Sequence, residues 1–139
     1  MNRLFITGGT GTFGRAFAKQ ALKLDYERIA IFSRDEQKQE EMARELAPLD
    51  TEKKLRFFLG DVRDKSRLTM AMRWHDVVVH AAALKIVPKC EYDPIEAIHT
   101  NVYGTENVID AAIRNNVDIV ALLSTDKAVA PVIFMAPPS

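Results

Sequence analysis

The stretch T-G-G-T-G-T-F-G, Thr7 to Gly14, follows a short apolar run at residues 4–6 and precedes a segment with helical spacing of apolar residues. Its glycines, Gly8, Gly11 and Gly14, have the spacing G-x-x-G-x-x-G. Glycine at such positions permits a tight turn and lets backbone N–H groups approach a pyrophosphate at a helix N-terminus. A glycine-rich turn without a ligand is the alternative. A strand before the loop and a helix after it favour dinucleotide binding.

The rest of the chain alternates between strand-like and helix-like segments. Strands are expected at residues 4–6, 28–32, 55–59, 76–81 and 118–123, and helices at 13–24, 35–46, 64–72 and 94–115. Five strands that alternate with helices through short connections predict a parallel sheet that is covered on both faces by helices. We therefore expect an α/β fold, a doubly wound NAD(P)-binding Rossmann domain at residues 1–131, followed by an irregular Pro-rich tail at residues 132–139.

Composition narrows the class of protein. The 139 residues contain 19 Lys+Arg and 19 Asp+Glu, and this zero net charge disfavours binding to nucleic acid or to a membrane surface. The longest apolar runs fall short of the ~18 residues that a membrane helix needs. The single cysteine, Cys90, excludes an internal disulfide and fits a reducing, cytoplasmic location.

A metal site is not expected, because Cys90 and the three histidines lack the spacing of metal ligands. The histidines, His75, His80 and His99, are instead expected at the surface or at a sheet edge. Trp74 stands where a small turn residue is usual, and packing is its expected role.

The end of the second strand indicates which dinucleotide is bound. NAD sites usually place a carboxylate about 20 residues after the glycine loop, where it holds the ribose hydroxyls. Here Ser33 and Arg34 occupy that place, and Lys38 follows one helical turn later. A guanidinium matches a 2′-phosphate in charge and geometry, so the sequence favours NADP. The alternative is that Arg34 lies in solvent and Asp35 serves NAD, although Asp35 can also cap the helix that it begins.

Two further strand ends lead to the same edge of the sheet, where ligands of doubly wound folds lie. Asp61 and Val62 follow the third strand, and a carboxylate there can accept from the adenine amino group, although a turn or cap role is common for such an aspartate. Ala81, Ala82 and Ala83 follow the fourth strand and leave room for a cofactor, unless they are simply core. The cofactor-binding residues expected from the residues alone are Thr7, Gly8, Gly11, Thr12, Phe13, Gly14, Ser33, Arg34, Lys38, Asp61, Val62, Ala81, Ala82 and Ala83.

Taken together, the motifs T-G-G-T-G-T-F-G, F-S-R-D-E, G-D-V-R-D, H-A-A-A-L-K, T-N-V-Y-G-T-E-N-V and S-T-D-K-A resemble an extended short-chain dehydrogenase/reductase. More narrowly, they resemble the inverting UDP-N-acetylglucosamine 4,6-dehydratases of bacterial polysaccharide and flagellin-sugar biosynthesis. The resemblance extends from Leu4 to about Pro131. It implies NADP as cofactor, UDP-N-acetylglucosamine as substrate, and a position for Lys85 near both. An ordinary surface lysine is the alternative for Lys85.

The resemblance also implies catalytic residues at the end of the fifth strand. In this family a hydride leaves sugar carbon 4, a proton leaves carbon 5, water leaves carbon 6, and the hydride returns to carbon 6. By resemblance Lys127 is the base for the carbon 5 proton, Asp126 is the acid for the departing hydroxyl, and Thr125 positions the sugar. Read without the other motifs, this triplet is typical of a solvated turn.

The sequence departs from the family pattern after Pro131. A tyrosine and, four residues later, a lysine are expected there, and Met135 and Ser139 occupy those places. The substrate domain of the family is also expected to be absent, so the chain's own turnover is left open. A sheet that ends at its fifth strand exposes an apolar edge, which favours a homo-oligomer. The alternatives are a non-catalytic nucleotide-binding module and another extended short-chain enzyme, such as a sugar-nucleotide epimerase.

Overall fold

The computed structural model describes residues 2–81, 94–122 and 132–135, with side chains at 2–81 and 103–122. Strands and helices alternate along the chain. They are β1 (Arg3–Thr7), α1 (Thr12–Ala21), β2 (Arg28–Ser33), α2 (Glu36–Leu46), β3 (Leu55–Leu59), α3 (Lys65–Ala71), β4 (Val77–His80), α4 (Pro94–Arg114), β5 (Ile119–Leu122) and β6 (Val132–Met135). Within these ranges, no helix combines the length and the apolar character that crossing a membrane requires.

The strands form one sheet in the order β3-β2-β1-β4-β5-β6. Its first five strands are parallel, which confirms the predicted doubly wound α/β fold. The chain runs outward from β1 to β3 and then returns to place β4 on the other side of β1. Neighbouring helices therefore diverge at the carboxyl ends of β1 and β4, and such a switch point is where open α/β sheets bind ligands.

The central strands have apolar side chains on both faces because both faces are covered. Leu4 and Ile6 of β1 pack in a cluster with residues of α1 and α2, whereas Phe5 packs in a second cluster with residues of α3 and α4. All three side chains are fully buried. Strand periodicity thus divides the core into two layers, one on each side of the sheet.

The bounds of the predicted elements differ from the observed ones by a few residues at their ends. Helix α1 stops at Ala21, three residues before the predicted end, and leaves Leu24 57% exposed. Helix α2 begins after Asp35, whose side chain caps it as predicted.

Strand β6 was not predicted. It pairs antiparallel with β5, Ile119 opposite Met135, in a segment where the sequence predicted an irregular tail. Its V-I-F-M run is typical of a strand, and the prolines at 137 and 138 restrict only themselves and the residue before each.

The expected positions of two histidines are wrong, and Trp74 does not pack in the core. Trp74 is 69% exposed, has a φ of 73°, and lies under the Arg73 guanidinium, whose carbon is 5.3 Å from the ring centroid. His75 and His80 are buried rather than superficial, at 3% and 1% exposure. The His75 ring packs edge-on against the Phe5 ring, and His80 is the last residue of the buried strand β4. The spacing between histidines in the sequence does not report such tertiary contacts.

Candidate cofactor site

The predicted cofactor residues that the structure describes lie at the carboxyl ends of β1, β2, β3 and β4. Because these strands are parallel and adjacent, their ends meet at one edge of the sheet. The glycine loop lies at the switch point, the Ser33–Lys38 segment follows β2, and the Gly60–Arg63 turn follows β3. The fold therefore brings three separate motifs into one neighbourhood.

The glycine loop leaves the N-terminus of α1 open. Gly8 has a φ of 66°, a conformation that side chains rarely adopt. Gly11 is the N-cap residue of α1, and no side chain caps the helix. A Cβ on Gly11 would meet only the Gly8 carbonyl oxygen, at 3.5 Å, so the space before the helix is free. Backbone N–H groups and the helix dipole there suit an anion such as a pyrophosphate.

Gly14 holds the helix against the loop. A Cβ at this position would lie 2.4 Å from the Gly9 Cα and 2.5 Å from the Gly9 carbonyl oxygen, distances that no side chain tolerates. The Gly8 N–H donates to the Phe32 carbonyl oxygen at 2.9 Å, and the Arg15 Nε donates to the Thr10 carbonyl oxygen at 3.0 Å. The loop is thus fixed by its own sequence before any ligand arrives.

Three other predicted residues of this motif occupy different environments. Thr12 and Phe13 lie in the exposed first turn of α1, and the Phe13 ring stacks on Phe17 with centroids 5.8 Å apart. Thr7 is fully buried, and its hydroxyl is hydrogen-bonded to His80 Nδ1 at 2.5 Å. The Thr7 hydroxyl is therefore engaged within the sheet.

The Thr7–His80 pair joins the two strands that flank the switch point. The two residues are opposite each other in the register of β1 and β4. Burial lowers the pKa of His80 to about 4, so its imidazole is neutral near pH 7. Sequence spacing gave no signal for this pair, because its members are far apart in the chain.

The end of β2 separates the roles of three consecutive residues. Asp35 Oδ1 accepts from the Lys38 backbone N–H at 3.1 Å, so this carboxylate caps α2. Arg34 has a 58% exposed side chain and lies at the mouth of the site. Ser33 is 7% exposed, and its hydroxyl oxygen accepts from Gln39 Nε2 at 2.8 Å. Lys38 lies exposed in the first turn of α2.

The sequence analysis did not identify Gln39, whose side chain donates the hydrogen bond to Ser33.

Asp61 is held by arginines. Its Oδ2 lies 2.8 Å from Arg63 Nη2 and 3.7 Å from Arg34 Nη1, and its Oδ1 accepts from the Arg63 backbone N–H at 2.9 Å. The hydrogen bonds from the Arg63 side chain lower the pKa of the Asp61 carboxyl, so it is ionised. The predicted carboxylate thus lies next to Arg34, at the expected adenosine end of the site.

Helix α4 packs against the turn that follows β3 and donates a hydrogen bond to it. Asn107, which is 4% exposed, donates from Nδ2 to the Val62 carbonyl oxygen at 2.9 Å. A Cβ on Gly104 would lie 2.9 Å from Val62 Cγ2, so glycine at this position lets α4 lie close to the Val62 side chain. The T-N-V-Y-G-T-E-N-V motif therefore serves the site through two residues that sequence reasoning did not single out.

Ala81 is 7% exposed and follows β4 directly, so the structure places it next to the switch point. Ala82, Ala83, Lys85 and the predicted catalytic residues Thr125, Asp126 and Lys127 lie outside the described residues. Among the residues that are described, no group of three acidic, histidine or cysteine side chains is arranged to hold a metal ion.

Known proteins with similar sequences agree with this architecture. The family described as "polysaccharide biosynthesis protein" matches residues 4–137. The chain is 54% identical over 133 residues to a protein of Rickettsia akari named UDP-glucose 4-epimerase, covering 93% of this chain and 38% of that protein. It is 52% identical over 132 residues to a UDP-N-acetylglucosamine 4,6-dehydratase (inverting) of Campylobacter jejuni, with the same coverage.

Solved structures show the same fold. Pen from Bacillus thuringiensis superposes with a TM-score of 0.79 at 39% identity, covering 87% of this chain and 38% of that one. A double mutant of the dTDP-glucose 4,6-dehydratase of Streptomyces venezuelae, solved with NAD and DAU, gives 0.68 at 28% identity, covering 84% and 37%. The chain thus spans a little over a third of the length of these relatives. With a family match along nearly its whole length and this fold, the chain belongs to the polysaccharide biosynthesis protein family of sugar-nucleotide dehydratases and epimerases.

Proposed function

We propose that the chain is the NADP-binding part of an inverting UDP-N-acetylglucosamine 4,6-dehydratase. The observation that carries the choice of NADP is the division of roles after β2, whereas the choice of a dehydratase rests on the resemblance and on the relative of that name. Asp35, the carboxylate available there for a ribose diol, caps α2, while Arg34 extends to the mouth of the site. An exposed guanidinium next to a buried serine hydroxyl suits a phosphate ester on the ribose.

The described residues would meet the dinucleotide at three points. The uncapped start of α1, free of side chains because of Gly11, would receive the pyrophosphate. Ser33 and Arg34 would receive the 2′-phosphate, and Asp61 would face the adenine amino group while Arg63 holds its carboxylate in place. When bound, the nicotinamide supplies reversible hydride transfer to and from the sugar.

The dehydration itself would fall to residues after β5, by resemblance to the dehydratases. A ketone at sugar carbon 4 acidifies the carbon 5 proton, and Lys127 would remove that proton. Asp126 would protonate the departing hydroxyl at carbon 6, and Thr125 would position the sugar. A lysine acts as a base only when its pKa is lowered, and an aspartate acts as an acid only when its pKa is raised.

The second candidate is a UDP-glucose 4-epimerase. Its support is the name given to the Rickettsia relatives, which are 53–54% identical to this chain. Both reactions begin with loss of hydride from carbon 4, so the cofactor site does not separate them. Dehydration needs an acid and a base at carbons 5 and 6, whereas epimerisation does not, so Asp126 and Lys127 are the discriminating residues.

The experiment joins residues 1–131 of this chain to the C-terminal part of the Campylobacter jejuni relative, in place of that protein's own N-terminal part. We expect UDP-N-acetylglucosamine to lose one water, which mass spectrometry detects. Asp126→Asn should lower the dehydration rate about 10²–10⁴-fold and leave NADP affinity unchanged. Glu40→Gln, on the exposed face of α2, is the matched control. Conversion of UDP-glucose to UDP-galactose without loss of water would favour the epimerase instead.

A further inference from the structure

The side chain of Gln39 is buried behind the end of β2. It lies on α2 with 7% of its surface exposed, whereas Gln37 on the same helix is exposed. Its Nε2 donates to Ser33 Oγ at 2.8 Å and to the Phe58 carbonyl oxygen at 3.0 Å, with a longer contact of 3.4 Å to the Ser33 carbonyl oxygen. A buried amide with this set of partners has one orientation.

That orientation follows from the chemistry of the acceptors. Two of the three partner atoms are backbone carbonyl oxygens, which cannot donate a hydrogen bond. The Gln39 amide must therefore present its NH₂ group to them rather than its oxygen. The NH₂ group has two hydrogens, and the two shortest contacts, to Ser33 Oγ and to the Phe58 carbonyl oxygen, receive them.

The fixed amide in turn determines the direction of the Ser33 hydroxyl. Because Ser33 Oγ accepts from Gln39, the hydroxyl's own hydrogen must point to another acceptor. Within the described part of the chain, Ser33 Oγ has no second hydrogen-bond partner, and its residue is followed directly by Arg34 at the ligand edge of the sheet. The hydroxyl hydrogen is thus left available to an acceptor other than Gln39, and Arg34 is the next residue.

We propose that Gln39 is a positioning residue that selects the 2′-phosphate of NADP by holding the Ser33 hydroxyl as a donor. Phosphate oxygens only accept hydrogen bonds, so a hydroxyl that is held as a donor is a good partner for them. A ribose hydroxyl both donates and accepts, and it gains less from such a partner. The inference rests on the proposed NADP site and assigns the selection to a residue that would not touch the cofactor.

The test measures NADP and NAD affinities of the 139-residue chain by calorimetry. Gln39→Met keeps the volume and apolar stem but removes the donor. We expect it to weaken NADP binding on the order of tenfold and NAD binding less than about twofold. Gln37→Met, the same change on the exposed face of α2, should alter neither affinity.

Coupling to Ser33 separates positioning from a general loss of structure. In a Ser33→Ala background, Gln39→Met should produce no further loss of NADP affinity, because the hydroxyl that it orients is gone. Additive losses would overturn the inference, as would a parent preference for NADP that Gln39→Met leaves intact. Equal parent affinities for NADP and NAD would instead contradict the proposed cofactor, and this inference with it.

A second measurement on the unaltered chain applies if Gln39→Met fails to fold. The Gln39 side-chain amide protons should exchange slowly with solvent, unlike those of Gln37, and their NMR signals should shift when NADP binds. NAD should cause a smaller shift. Fast exchange, or equal shifts with both dinucleotides, would overturn the proposal.

Discussion

Asp35 is the side chain on which the choice between the two dinucleotides depends at the scale of single residues. Sequence spacing left two roles open for it, ribose ligand or helix cap. Its Oδ1 accepts from the Lys38 backbone N–H, so the structure shows the cap. A carboxylate engaged in this way is pulled toward the helix start, which supports our proposal that Arg34 is the residue for the ribose phosphate.

Asp35→Ala should therefore affect stability more than binding. Loss of an aspartate cap costs about 1 kcal/mol of folding free energy, which chemical denaturation measures. Asp64→Ala is the matched control, because Asp64 caps α3 by accepting from the Arg67 backbone N–H at 3.2 Å. Both variants should retain the parent's ratio of NADP to NAD affinity. A selective collapse of NAD binding in Asp35→Ala would show that this carboxylate holds the ribose.

His80 gives a prediction for pH. Its native pKa of about 4 lies below the ordinary value of 6.5, so the unfolded chain binds a proton before the native state does. Its contribution to stability is complete above pH 6.5 and is lost as pH falls toward 4. From pH 7 to 4.5 the free energy of unfolding should drop by about 2–3 kcal/mol through this residue.

The control for that prediction is His80→Asn, which can retain a hydrogen bond to Thr7. Denaturant unfolding of the variant should show a flatter dependence between pH 7 and 4.5 than the parent. His75 also has a pKa lowered by burial, and it is present in both proteins, so the difference isolates His80. Parallel curves for the two proteins would contradict a buried neutral imidazole.

At the scale of elements, substitutions at the start of α1 can distinguish effects on folding stability from effects on dinucleotide binding. Gly11 has open space before the helix, whereas Gly14 has none. Gly11→Ser should keep or raise stability by a few tenths of a kcal/mol, because serine caps helices. It should nevertheless weaken dinucleotide binding, since the new hydroxyl occupies the N–H groups that a pyrophosphate needs.

Gly14→Ala is the companion variant, and unlike Gly11→Ser it should lower stability as well as binding. Its Cβ would collide with the Gly9 backbone, so stability should fall by about 1–3 kcal/mol together with binding. Thermal unfolding and calorimetric titration of both variants check the pair. Tight dinucleotide binding by Gly11→Ser would show that the helix start is not the anion site.

The elements also show what the sequence could predict. The strands and the order of the helices follow from apolar periodicity and capping residues, because these signals are local. The contacts Thr7–His80, Gln39–Phe58 and Asn107–Val62 connect residues that only the fold brings together. The glycine loop was therefore predictable, whereas the buried polar side chains that support the site were not.

The same limit applies to β6. Its V-I-F-M run is apolar enough for a strand, but a four-residue strand is defined by its partner, and β5 pairs with it antiparallel. A local pattern of this length gives neither the pairing nor its direction.

At the scale of the whole molecule, the zero net charge does not reveal a local cluster of basic residues at the candidate site. The chain carries 19 basic and 19 acidic residues, yet Arg34, Arg63 and Lys38 all follow strand ends at one corner of the sheet. Asp61 neutralises one of these charges, and its ion pair with Arg63 at 2.8 Å is shorter than its contact with Arg34 at 3.7 Å. The fold thus leaves Arg34 as the guanidinium available to an additional phosphate.

The most direct test of the account is a calorimetric titration of the 139-residue chain with NADP and with NAD, repeated with Arg34→Ala. We expect NADP to bind more tightly by about tenfold or more, because a charge-assisted contact to a phosphate contributes about 1.5–3 kcal/mol. Arg34→Ala should remove most of that difference and leave NAD affinity nearly unchanged. Equal affinities in the parent chain, or a preference for NADP that survives Arg34→Ala, would contradict the assignment of this edge of the sheet as an NADP site.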